Sequence, residues 1–237
     1  MSEWKARRFW KAATTQPADG GWEVLLDDKP LRTPGKKPLI LPTEALAKAI
    51  AEEWDAQTDV IAPLTMPLTR AANSAIEKVA PQFDAVAGMI AEYGGTDLLS
   101  YRAEEPEDLV RLQAEAWDPL IDWAATHLQA PLRITHGVIP VTQDSAVLER
   151  LHDEVASLDT FGLTALHDLV TLPGSLILGL AVIRGQLNAE RAFALSRIDE
   201  EHQLRQWGED SDARDAAESR RHAIMDAERL WLLSRRR

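Results

Sequence analysis

The chain has 237 residues, 45% of them hydrophobic, which is enough to build one large domain or two modest ones. Its 26 basic and 38 acidic side chains give a net charge of −12, so nucleic acid and anionic lipid are not expected partners. The absence of cysteine excludes disulfides, thiolate metal sites and cysteine nucleophiles, and we predict no cofactor.

The first forty residues are predicted to form a small β layer. Short runs such as "GGWEVLLD" and "KPLILP" are separated by glycine, proline and aspartate, which is typical of strands joined by tight turns. Asp27 and Asp28 predict a turn at which the chain reverses direction after the strand at residues 22–26.

Helical signals dominate from residue 43 onward. Thr43 is the predicted N-cap of "EALAKAIAEEWDAQ", in which Leu46, Ile50 and Trp54 form an apolar stripe. A second helix is predicted in "IAPLTMPLTRAANSAIEKV", after the two prolines of this stretch. A third, in "PQFDAVAGMIAEYGG", is interrupted by Gly94 and Gly95.

The second half is predicted to be almost entirely helical. "PEDLVRLQAEAWDPLIDWAATHL" is one helix, whereas "PLRITHGVIPV" is either a strand pair or a buried loop. Residues 170–183 are the longest apolar run and fall short of the ~20 residues that a membrane span needs. We therefore expect a buried helix there and no membrane insertion. The remaining predicted helices begin at Asp144, Thr160, Asn188 and Ser211 or Asp212. The helix that begins at Asn188 is expected to continue to Trp207 and to end at Gly208, and the last helix is expected to end near Leu233.

These elements together predict an α+β fold. We expect a small β-containing N-terminal domain over residues 1–85 and a larger multihelical domain over residues 86–237.

The stretch "SRIDEEHQLRQWGED" combines a serine, a histidine, several carboxylates and a tryptophan. On a helix, Ser196, Glu200, Gln203 and Trp207 share one polar stripe. A hydrolase or metal enzyme centred on Ser196 and His202 is one hypothesis. However, six residues separate these two side chains onto different faces, and the chain has neither a nucleophile elbow nor an HExxH pair. A helix end that faces a partner protein is the preferred interpretation.

The chain resembles the ATP-twelve family of ATP synthase assembly chaperones. The blocks that carry the resemblance are "RFWK", "LLDDKPLRTP", "EWDAQ", "MPLTRAANSAI", "TDLLSYRA", "WDPLIDWA", "GSLILGLA" and "SRIDEEHQLRQWGED". They follow the family's order and extend from residue 7 to about residue 213, which is nearly the whole chain.

The resemblance implies a protein without catalytic activity that binds the free alpha subunit of the synthase's catalytic head. It would prevent aggregation of that subunit until the beta subunit replaces the chaperone. The family fold, a small β-containing domain followed by a helical domain, agrees with the elements predicted above. We expect a monomer when free, in the bacterial cytoplasm, with eukaryotic relatives in the mitochondrial matrix. A helical adaptor with another protein client is the alternative.

The resemblance also suggests which residues bind the partner. In the family an acidic residue lies three positions after the "WG" pair, where this chain has Ser211 flanked by Asp210 and Asp212. Carboxylates here would supply charge complementarity to the client, and Trp207 an aromatic anchor. The predicted partner-binding residues are Glu200, Gln203, Trp207, Gly208, Asp210, Ser211 and Asp212.

Overall fold

The structure is a computed structural model that describes residues 7–137, 139–208 and 211–235. A few N-terminal strands are followed by a multihelical region. The predicted α+β fold class is therefore confirmed.

Three antiparallel strands form the N-terminal sheet, in the order β1 (Ala13–Ala18), β2 (Gly21–Leu26) and β3 (Lys29–Pro30). The predicted turn after β2 is confirmed, because Asp27 adopts a left-handed backbone conformation with φ of 53° and the chain reverses into β3. Val24 and Leu26 alternate onto the buried side of β2, as expected for a strand with one covered face.

Helix α1 (Glu44–Asp55) packs against β1 and β2. It begins where predicted, since the Thr43 hydroxyl accepts a hydrogen bond from the Leu46 amide at 3.1 Å. Leu46 and Ile50 are fully buried and Trp54 is half-buried, so the predicted stripe is the face that covers the sheet.

Two further helices, a short turn and a short strand lead into a long helix. These elements are α2 (Pro67–Ser74), α3 (Phe83–Ala91), a 3₁₀ turn (Glu92–Gly95), β4 (Tyr101–Arg102) and α4 (Glu107–His127). The predicted interruption at Gly94 and Gly95 is confirmed by the 3₁₀ turn. Among its described residues, the segment left open as a strand pair or loop contributes β5 (Thr135–His136), which pairs in parallel with β4.

The apolar run at residues 170–183 is not the single buried helix that its composition predicts. It is divided between α6 (Thr160–Thr171) and α7 (Leu176–Ile183), which follow α5 (Ser145–Ala156). Gly174 has a φ of 75°, a conformation that glycine adopts without steric cost, and it breaks the helix beside Pro173.

Helix α7 is buried over its whole length and packs against α4. Its N-terminus is held by Asp97, whose carboxylate accepts from the Ser175 hydroxyl at 2.8 Å and from the Ile177 amide at 2.9 Å. Burial raises the pKa of Asp97 to about 6. Gly179 allows α6 and α7 to pack closely, because a Cβ there would lie 2.5 Å from Val170 Cγ2.

The C-terminal part contains α8 (Ala189–Ser196), α9 (Ile198–Trp207) and α10 (Ser211–Ser234). Asn188 caps α8 as predicted, accepting from the Arg191 amide at 2.8 Å. The single helix expected from Asn188 to Trp207 is wrong, because α8 and α9 are separated at Arg197.

The chain divides into two compact units. The first combines residues of Met1–Phe83 with Thr160–Thr164 and Arg229–Arg237, and the second combines Asp84–Asp159 with Ala165–Glu228. The N-terminal sheet and α1 belong to the first unit, and α4, α5, α7, α8 and α9 belong to the second. The domain limits 1–85 and 86–237 stay a prediction.

Candidate functional site

The separation of α8 from α9 divides the polar stripe predicted for this region. Ser196 is the last residue of α8, whereas Glu200 and Gln203 lie on α9 and are exposed. The Leu195 carbonyl accepts a hydrogen bond from the indole of Trp117 at 2.9 Å and is one of the acceptors that a continuous helix would use. The candidate surface therefore begins with α9 rather than with Ser196.

Arg197, at the junction, pairs with the first carboxylates of α9. Its guanidinium lies 2.5 Å from Glu200 Oε2 and 3.1 Å from Glu201 Oε1, and only 8% of the residue is exposed. It also stacks on the ring of Phe193, with 5.4 Å from the guanidinium carbon to the ring centroid. Arg220 lies 3.8 Å from the other oxygen of Glu200. Two carboxylates of the predicted acidic surface are thus partly neutralised within the chain.

The third acidic residue at this end of α9, Asp199, points inward to a buried amide. Gln113 on α4 donates from Nε2 to Asp199 Oδ1 at 2.6 Å, and its own Oε1 accepts from the Ala103 amide at 2.8 Å. Gln113 is only 1% exposed, whereas its partners Ala103 and Asp199 are half-buried, so both hydrogen bonds are partly buried. This amide fixes the start of α9 against α4 and against the chain that follows β4.

His202 has a structural position on the inner face of α9. Its Nε2 lies 3.0 Å from Asp108 Oδ2, and the imidazole is largely buried. The hydrogen bond from His202 holds the pKa of the Asp108 carboxyl below its usual value. Together with Gln113 and Asp199, this pair joins α9 to α4 at a second point.

The end of α9 matches its prediction. Gly208 has a φ of 87° and donates its amide to the Leu204 carbonyl at 2.9 Å, which ends the helix. Ser211 and Asp212 are exposed and begin α10, where an acidic side chain in the first turn favours the positive end of the helix dipole. The predicted residue Asp210 and the side chain of Trp207 lie outside the described residues.

The hydrolase or metal hypothesis gains no support from the positions of its residues. The Ser196 hydroxyl donates to the Phe193 carbonyl at 2.8 Å, within its own helix, while His202 pairs with Asp108. Over residues 7–137, 139–208 and 211–235, no group of three or more histidine, aspartate or glutamate side chains could hold a metal ion. No helix in those same stretches is both long and apolar enough to cross a membrane.

Comparison with known proteins identifies the family. A family model described as ATP12 chaperone protein matches residues 7–125 of this chain. The chain belongs to the ATP12 chaperone family. The family and the relatives below carry the name of a chaperone or of Atp12, and none of these names describes an enzyme.

Three relatives show how far the likeness extends. The crystal structure of Atp12 from Paracoccus denitrificans is 71% identical in sequence with a TM-score of 0.96, covering 98% of this chain and 100% of that one. A solved protein of Agrobacterium tumefaciens is 40% identical with a TM-score of 0.90, covering 96% and 85% of the two chains. Protein atp12, mitochondrial, of Schizosaccharomyces pombe is 28% identical over 221 residues, covering 87% of this chain and 75% of that protein.

The two units of this ATP12 chaperone differ strongly in charge. The second unit carries 27 acidic and 11 basic side chains, a net charge of −16. The first unit carries 11 acidic and 15 basic side chains, a net charge of +4. The negative charge of the whole chain therefore belongs to the helical unit that contains α9 and most of α10.

Gln113 and Asp108 are the residues of this site that the sequence interpretation missed. Gln113 lies on the same stripe of α4 as the fully buried Trp117, at a spacing of four residues, and Ala124 continues that stripe. A glutamine on an otherwise apolar stripe is the signal that could have identified it. Asp108 is one of several acidic residues at the start of α4, and its spacing gives no comparable signal.

Proposed function

We propose that this ATP12 family member is an assembly chaperone that binds the free alpha subunit of the F-type ATP synthase catalytic head. It would prevent aggregation of that subunit until the beta subunit replaces the chaperone. The observation that carries the proposal is family membership, supported by a relative of known structure that matches almost the whole chain at 71% identity.

The charge of the helical unit supports a client of this kind. An unpaired alpha subunit exposes an interface that is apolar, partly basic and intended for beta, and such a surface aggregates unless it is covered. A unit with a net charge of −16 attracts a basic partner over several ångströms. Binding through such charges weakens as the salt concentration rises and is reversible. Release then requires only that beta bind the alpha subunit better.

The proposed contact surface consists of the exposed side of α9 and the start of α10. Among the described side chains it includes Glu200, Gln203, Ser211 and Asp212, with the backbone of Gly208 at the end of α9. Trp207 and Asp210 remain part of the proposal on the strength of their sequence positions. Asp199 and His202 are not part of this surface, because their side chains are hydrogen-bonded to α4.

The experiment is a solubility assay with recombinant alpha subunit. The wild-type chaperone should keep the subunit in the supernatant, and addition of the beta subunit should release the chaperone. The double variant Asp210→Lys with Asp212→Lys should protect less well, since it changes the charge of the proposed surface by four units.

A matched control carries the same change of charge elsewhere on the helical unit. Glu115 and Asp122 are exposed on the solvent side of α4, so Glu115→Lys with Asp122→Lys alters the net charge equally. This control should protect nearly as well as the wild type. Equal protection by both double variants would remove the assignment to α9 and α10, and no protection by the wild type would contradict the chaperone proposal itself.

A pull-down from bacterial lysate separates this proposal from a helical adaptor with another client. The alpha subunit should be the dominant protein captured, and a different dominant protein would favour the adaptor. We further propose that the protein acts in the bacterial cytoplasm as a monomer when free. Support comes from its similarity to proteins of Paracoccus denitrificans and Agrobacterium tumefaciens, both bacteria.

A further inference from the structure

An apolar groove lies on the helical unit, apart from the surface formed by α9 and α10. Its volume is about 440 Å³, and it runs between α5 on one side and the end of α3 with the following 3₁₀ turn on the other. The residues that line it are Gly88, Ala91, Glu92, Gly95, Leu148, Glu149, His152 and Asp153.

Small residues create the groove. Gly94 brings the 3₁₀ turn against α5 so closely that a Cβ there would lie 2.9 Å from Leu151 Cδ1. At Gly88 and Gly95, in contrast, a Cβ would meet no atom within 4 Å. The backbone therefore packs closely against α5 at Gly94, and it leaves open space at Gly88 and Gly95. Leu148, which is half-buried, forms the apolar side on α5.

Carboxylates line both rims of the groove. Glu92 lies on one side, and Glu149 and Asp153, four residues apart on α5, lie on the other, all three exposed. Within the part of the chain that the structure describes, neither Glu92 nor Glu149 forms an ion pair. Asp153 Oδ1 lies 4.0 Å from Nδ1 of its neighbour His152. Unlike Glu200 and Glu201 on α9, none of these three acids pairs with an arginine among the described residues.

The arrangement suits a protein segment better than a small molecule. A small-molecule site usually places a few polar groups inside the cavity to fix the ligand, whereas here the charges lie on exposed rims above an apolar floor. Long lysine or arginine side chains can reach such rims while apolar residues fill the floor between them. The net charge of −16 on the unit favours a basic segment further.

We propose that this groove binds a short helical segment of a partner protein, with apolar side chains on the floor and lysine or arginine side chains at the rims. This inference goes beyond the proposed function, because it concerns a different surface and does not depend on the identity of the client. It gives the helical unit a second docking site, separate from α9 and α10.

The test measures binding of a labelled synthetic peptide to the full-length protein by fluorescence anisotropy. The peptide has about 12 residues, with leucines at positions i, i+3, i+4 and i+7 and lysines beside them. A Cβ at position 88 would meet no atom within 4 Å, so the variant Gly88→Leu extends its side chain into the groove. It also removes a glycine from a helix interior, so its fold should be retained. It should bind the peptide at least about tenfold more weakly than the wild type, which corresponds to about 1.4 kcal/mol.

Two controls make the result specific to the groove and its rims. Gly88→Ala adds one methyl group and should bind within about threefold of the wild type, while the same peptide with glutamates in place of lysines should bind at least about tenfold more weakly. Glu149→Lys with Asp153→Lys should also weaken binding, and it leaves Gly88 unchanged in case the leucine variant does not fold.

Several results would overturn the proposal. Equal binding by the wild type and the Gly88→Leu variant would place the peptide elsewhere, and equal binding of the glutamate peptide would remove the role of the rims. A wild-type dimer in sedimentation that Gly88→Leu converts to monomer would make a second copy of this chain the occupant. None of these measurements uses the alpha subunit, so they leave the proposed function to its own assay.

Discussion

Replacement of Gln113 by methionine tests whether one buried amide holds α9 in place. Methionine has a similar size and keeps the apolar packing of the side chain, so the substitution removes hydrogen bonds and little else. The bond to the Asp199 carboxylate, at 2.6 Å, is charge-assisted and is expected to be worth about 1.5–3 kcal/mol. The bond from the Ala103 amide, at 2.8 Å, is neutral and worth about 1 kcal/mol.

The expected loss in the free energy of unfolding is therefore about 3 kcal/mol. Urea unfolding followed by circular dichroism measures it, and with a denaturant slope of about 2 kcal/mol per molar the midpoint should fall by about 1.5 M. Amide hydrogen exchange should show loss of protection first at the start of α9. The matched control is Gln203→Met, an exposed glutamine on α9, whose stability should stay within about 0.5 kcal/mol of the wild type.

A double-mutant cycle assigns the effect to the pair. Asp199→Asn in the Gln113→Met background should cost less than Asp199→Asn alone, with a coupling energy of about 1 kcal/mol or more. A loss below about 1 kcal/mol for Gln113→Met, or additive effects in the cycle, would refute the reasoning that this amide fixes α9 to α4.

Three further substitutions test other parts of the structure. Gly208→Ala should cost about 1–3 kcal/mol in thermal or urea unfolding through the backbone conformation alone, since φ of 87° with ψ of 167° is essentially restricted to glycine and a Cβ there meets no atom within 4 Å. Gly179→Ala should cost about 1–3 kcal/mol by overpacking against Val170, and an unchanged midpoint would contradict the close packing of α6 and α7. Burial raises the pKa of Asp97 from 3.8 to about 6, so the folded state is favoured by the protonated carboxyl. This contribution to stability is fully present below pH 3.8 and is lost as the pH rises through 6, a change of about 3 kcal/mol. Asp97→Asn should abolish that part of the pH dependence, and an unchanged pH profile of urea midpoints would contradict it.

Local chemistry made much of the fold predictable. The caps at Thr43, Asp144 and Asn188 require only a side-chain oxygen and a nearby amide, and all three form at the predicted positions. The same is true of Gly208, which ends α9 through its own backbone conformation. Signals of this kind are contained within a few neighbouring residues, so a sequence displays them directly.

The two wrong helix predictions have different causes. Between α6 and α7 the break was visible as Pro173 and Gly174, but the strong hydrophobicity of the run favoured one buried helix. At Arg197 the sequence contains neither glycine nor proline, and the junction coincides with long-range contacts such as the bond from Trp117 to the Leu195 carbonyl. Those partners are 78 residues apart, and no local pattern joins them.

The position of the candidate site at α9 and the start of α10 stays a prediction, and the sequence did not show the roles of its side chains. The spacing correctly separated Ser196 from His202, yet it could not show that Asp199 and His202 turn inward to Gln113 and Asp108. Such roles depend on which face of α9 meets α4. That orientation is a property of helix packing in the whole unit and does not follow from the periodicity of one helix.

Ion pairs within the chain reduce the number of carboxylates on α9 that are available to a partner. A carboxylate that is already paired within the chain offers a partner little, because a new contact must offset the loss of the old one. Glu200 and Glu201 are in this position through Arg197, whereas Glu149 on α5 is not paired with any described cation. The density of acidic residues along the sequence therefore overstates the binding capacity of α9. For the proposed client, charge recognition would therefore rely mainly on the field of the whole helical unit, whose net charge is −16.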